Sequence, residues 1–203
     1  MFGEAFTAAE RDKRGIVFDL FAEGEDGKPM TFSIPENLYI IGTMNEIDQS
    51  VEALDFALRR RFFWFATPYD QDELFTIWEE HWGEKNVIKW GHARGNLEAL
   101  ASNITRLNKK ISELPDLGSE YELGAAVFID LPYFIDREWR YKKNKKRDGR
   151  YLWTSKSVVQ TPLTSLWALT VQPVLAQYLA GSDRRVEVLA ELREVLFAAP
   201  KAQ

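Results

Sequence analysis

The sequence predicts an α/β part followed by an all-helical part, and three observations carry that expectation. Up to Pro68 the apolar residues fall in short β-rich runs, "IVFDLF", "MTFSI", "NLYIIGTM" and "FFWFATP". Beyond Pro68 they recur at spacings of three and four, the helical period. Between the last two β-rich runs lies one amphipathic segment, "SVEALDFALRRR", so that strand, helix and strand form a right-handed crossover with parallel strands. The expected division is 1–68 and 69–203.

Taken in order, Phe2, Phe6 and Ala9 stand at helical spacing, and "RDKRG" is a basic helix exit closed by Gly15. "IVFDLF" and "MTFSI" then make a hairpin across "AEGEDGKP", whose glycines and proline supply the turn. "NLYIIGTM" is continuously apolar, the pattern of a strand covered on both faces at the centre of a parallel sheet. Asp48 or Ser50 caps the helix in which Val51, Leu54 and Leu58 share a face, and Pro68 ends the following strand.

In the helical part, Asp70 with Glu73 forms a capping box. Leu97, Leu100, Ile104, Leu107, Ile111 and Leu114 mark a long helix that Pro115 stops. Thr161 caps a helix with Pro162 at its first position, Pro173 is expected to kink it, and Gly181 to end it. "DRRVEVLAELREVLF" supplies the last helix. Trp78 and Trp82 fall one turn apart, with Leu74 a turn earlier, which is core packing.

Composition narrows the chemistry. With 203 residues and 45% hydrophobic content the chain can bury a sizeable core. It has no cysteine, which removes disulfides, thiolate zinc sites and cysteine nucleophiles, and fits a reducing compartment. His81 and His92 stand apart without a cluster, so no metal site is expected within the chain. The N-terminal segment lacks the pattern of a signal peptide, and no apolar run has membrane-spanning length, so the chain reads as cytoplasmic with no membrane partner. A net charge of −5 argues against nucleic-acid binding through the whole surface.

Chemistry-bearing residues gather at the end of the "NLYIIGTM" strand, where open α/β sheets bind ligands. Thr43 and Asn45 emerge there. The Asn45 amide can both donate and accept, so it can orient a water or touch a terminal phosphate without ionising. Asp48 can take a proton partner or a base edge, or cap the helix, and on spacing alone turn and cap roles are the better reading of both residues. Arg59, Arg60 and Arg61 lie at the far end of an eleven-residue helix, roughly 16 Å away at 1.5 Å per residue. They either complement the helix dipole or project toward phosphate on a neighbouring subunit.

The stretch "NLYIIGTMNEIDQSVEALDFALRRRFFWF" resembles McrB-type AAA+ proteins, the nucleotide-hydrolysing motor subunits of modification-dependent restriction systems, from the sensor 1 strand through the arginine-finger helix. "FGEAFTAAERDKRG" is similar to that family's helix after Walker B, and "YELGAAVFIDL" and "SLWALTVQPVLAQYLAG" to segments of its helical lid. The resemblance implies the C-terminal part of an AAA+ P-loop NTPase core, with its lid in 69–203. It gives Asn45 and Asp48 the family's Asn-x-x-Asp signature and Arg60 the trans-acting finger, with Thr43, Arg59 and Arg61 in phosphate or inter-subunit contacts. It also implies Mg²⁺ with ATP or GTP, a ring of AAA+ subunits, an McrC-like nuclease partner, and DNA engaged indirectly. Gln49 departs from the arginine common in the family.

The phosphate-cradling pattern G-x-x-x-x-G-K-[ST] is missing, and "GEDGKPM" has Pro29 where the hydroxyl belongs. No Asp-Glu strand precedes the sensor segment, so the chain holds the second half of a site and is expected to be inactive alone. "PDLGSEYELG" offers no lysine after its acids, which argues against a nuclease centre. A basic loop, 137–151, contains Lys142, Lys143, Lys145, Lys146 and Arg147 among aromatics and reads first as a solvated loop between lid elements whose aromatics anchor its ends, while its charge also suits a nucleic-acid backbone or a partner subunit. Two other functions share these features: a non-catalytic, degenerate AAA+ module binding a ring or DNA, and a dynein-related AAA+ chaperone.

Overall fold

The computed structural model describes residues 7–23, 27, 29–43, 62–140, 151–153 and 161–199. The chain divides into two compact units, Met1–Ala66 and Thr67–Gln203.

In the first unit a short helical segment runs into the 3-10 turn Arg11–Lys13 and stops at Gly15, whose φ of +78° suits a residue without a Cβ. Gly15 N–H donates to the Ile34 carbonyl at 2.8 Å, tying this exit to the end of the hairpin. The hairpin forms as the sequence predicts, with β1 (Phe18–Glu23) antiparallel to β2 (Pro29–Phe32) and Phe18 opposite Phe32. Among the described residues of this unit, Ala8 and Ile34 are the buried apolar side chains.

The two apolar runs differ from expectation. Residues 38–43 and 63–66 carry no regular secondary structure and join no ladder among the described residues, so the expected parallel pair is not formed there. Tyr39 is 82% and Ile41 92% exposed, and Phe63 and Phe65 are 91% and 87% exposed. A strand of the parallel, doubly covered kind needs a paired neighbour on each edge and a layer on each face. The two described strands satisfy only each other. The intervening helix expected from Val51 to Arg61 lies outside the described residues.

The second unit is a helical bundle around one core. Helix α1 (Gln71–His81) starts at Asp70, whose carboxylate accepts from the backbone N–H of Asp72 and Glu73 at 2.7 and 3.0 Å. Helix α2 (Trp90–Glu113) begins six residues before the predicted periodic stretch. Gly91 and Gly95 weaken the local helical signal there, and burial of Ala93 and Leu97 outweighs their propensity. Leu97, Leu100, Ile104, Leu107 and Ile111 are all fully buried, as their spacing requires.

After α2 the chain turns through Ser119–Tyr121 and Ala125–Phe128, two 3-10 segments held by Asn108. The Asn108 side chain donates to the Leu123 carbonyl at 3.0 Å and accepts from the Leu123 N–H at 2.9 Å, satisfying both backbone groups of that buried residue. Helix α3 (Leu131–Arg140) follows, burying Leu131, Phe134, Ile135 and Trp139. Arg137–Arg140 are therefore its last turn, which corrects the reading of 137–151 as loop throughout.

Thr161 caps α4 (Pro162–Leu166) in a full capping box with Thr164, and Pro162 stands in the first turn. Helix α5 (Gln172–Tyr178) continues it through a π turn at Trp167–Val171. Pro173 has no N–H for the Leu169 carbonyl, and Gln172 N–H reaches back five residues to Trp167 O, so the expected irregularity takes the form of a widened turn. The last helix, α6 (Arg185–Phe197), packs along α2 and buries Val188, Leu192 and Leu196. Among the described residues, no helix is long and apolar enough to cross a membrane.

Candidate functional site

The segment leading to the predicted site is fixed at its start. Leu38 N–H donates to the Pro35 carbonyl at 3.2 Å, and Arg14 donates through Nη1 to the Leu38 carbonyl. From there the chain runs exposed to Thr43, with open space around Gly42. Asn45, Asp48, Arg59, Arg60 and Arg61 lie outside the described residues. Thr43 is the described member of the set, and it is exposed at the end of the apolar run.

Lys142, Lys143, Lys145, Lys146 and Arg147 also lie outside the described residues, but both flanks of their segment are described. Trp139 Nε1–H donates to the Tyr151 carbonyl at 3.1 Å, and the two rings meet edge to face with centroids 5.5 Å apart. Tyr151 N–H donates to Asn96 Oδ1 on α2 at 3.0 Å, and Trp153 Nε1–H to the Phe197 carbonyl at 3.1 Å. Trp139, Tyr151 and Trp153 thus serve the core at the two ends of the basic run. The cations next to it are committed as well. Arg140 pairs with Asp136, and Arg137 donates to Ser165 Oγ at 2.9 Å while lying over the rings of Phe134 and Tyr133.

One cationic centre has no counterpart in the sequence reading. Arg184, ahead of α6, meets Glu187 at 3.2 Å, Asp116 at 3.3 Å and Glu191 at 3.6 Å. Ser182 Oγ donates to Asp116 at 2.6 Å, and Lys110 approaches Glu191 at 3.2 Å. The hydrogen bond to Glu187 raises the Arg184 guanidinium above its ordinary value, with the neighbouring carboxylates acting in the same direction. A guanidinium surrounded by three carboxylates ties the α2 exit to the start of α6 and is poorly placed to receive phosphate. Of the three carboxylates, Glu187 carries the nearest sequence signal, as an Arg-x-x-Glu pair with Arg184.

Among the described residues, no group of three or more His, Cys, Asp or Glu is arranged to hold a metal ion. His81 is exposed, with Nδ1 2.8 Å from the Ile77 carbonyl of its own helix, and His92 is exposed on α2.

Sequence comparison adds a relationship to restriction-system subunits. The chain is similar to the type IV methyl-directed restriction enzyme EcoKMcrB subunit of Escherichia coli (strain K12), with 32% identity over 131 residues. The match covers 63% of this chain and 27% of that protein, so the chain spans about a quarter of the length of the curated relative. No protein-family profile matches the chain, and no solved structure matches it significantly.

Proposed function

We propose that this chain is part of an McrB-related AAA+ nucleoside triphosphatase, namely the sensor, arginine-finger and lid portion of a restriction-system motor subunit. The observation that carries the reading is the 32% identity to the McrB subunit over 131 residues, in a chain whose "GTMNEIDQS" and "ALRRRF" segments resemble that family's sensor 1 and finger. The exposed apolar runs at 38–41 and 63–65 support it, because they have the pattern of interior strands and remain uncovered.

In this reading, the phosphate loop and the acidic strand that holds Mg²⁺ belong to a segment beyond these residues, and ATP or GTP binds where subunits meet. The Asn45 amide orients the attacking water through its paired donor and acceptor, and Asp48 completes the Asn-x-x-Asp signature beside it in the catalytic set. Arg60 reaches the phosphates held by a neighbouring subunit, with Arg59 and Arg61 beside it and Thr43 at the strand end. Hydrolysis in the ring then licenses an McrC-like nuclease partner on DNA.

The test is to express the chain joined to a phosphate-loop and Asp-Glu segment and to assay hydrolysis and nucleotide binding separately. A trans-acting finger contributes about 10³–10⁵-fold to kcat. Arg60→Ala is expected to remove hydrolysis on that scale while leaving nucleotide binding intact. Equal loss of both, or no loss of either, would contradict the role.

A further inference from the structure

We draw no further inference here: the strongest candidate, the uncharged outer face that Ala168, Leu169, Gln172 and Pro173 present along the π turn and the start of α5, is exposed, but nothing in the structure shows what covers it.

Discussion

The two units contain apolar runs of similar richness and use them differently. In Thr67–Gln203 the buried apolar residues of the described helices converge, and side chains from Leu74 to Leu196 form one buried cluster. In Met1–Ala66 the hairpin closes on itself, while the most apolar runs, around Ile41 and Phe63, face outward. Hydrophobicity predicts that a segment wants cover, and topology decides whether its own chain supplies it. A helix can bury its stripe against the next helix in sequence, whereas an interior parallel strand needs edges from distant segments.

This contrast can be broken most severely in the bundle core. Trp78 is fully buried and its indole N–H donates to the Phe128 carbonyl at 2.9 Å, so Trp78→Ala removes both packing and a hydrogen bond. A loss of about 3–5 kcal/mol is expected in chemical denaturation followed by helical circular dichroism. Asn103 donates to the carbonyls of Leu196 and Ala198 at 2.9 and 2.8 Å, satisfying the end of α6. Asn103→Ala leaves those carbonyls short of partners and is expected to cost about 1–3 kcal/mol in the same measurement. Thr161→Ala opens the capping box of α4 and should cost about 1 kcal/mol.

A pH experiment sharpens the picture of the second unit near its start. Tyr69 donates to the Ala101 carbonyl at 3.3 Å, and burial raises its hydroxyl pKa from 10.0 to about 12. Since the folded value lies above the unfolded one, its contribution to stability is complete below pH 10 and falls as pH rises toward 12. Tyr69→Phe is expected to flatten that part of the stability profile, and tyrosinate absorbance in the native protein should lag by one group. The smallest effect belongs to the first unit. Ile41→Lys alters a side chain already 92% exposed, so thermal unfolding of this chain should shift by no more than about 0.5 kcal/mol. A destabilisation of core size would mean that Ile41 is covered after all.

Much of the bundle was legible because its signals are local. The Asp70 and Thr161 caps, the α2 stripe and α6 all follow from neighbours within one or two turns. Helix α3 is less legible although Leu131, Phe134, Ile135 and Trp139 carry the period, because the charges from Arg137 onward have the pattern of a basic loop. The hairpin was readable from its turn, and the covering of residues 38–43 was not, since strand cover depends on partners far along a chain. For the candidate site, Asn45 and Arg60 rest on the resemblance, and the Arg184 cluster depended on Asp116, which is 68 residues away in sequence.

The most direct test of the contrast is residue-resolved hydrogen exchange on the 203-residue chain. Strong protection is expected along α1, α2 and α6, with fast exchange at 38–43 and 63–66. Slow exchange in those two runs, matching the helices, would show that the first unit completes its own sheet and would remove the structural support for a module finished by another segment.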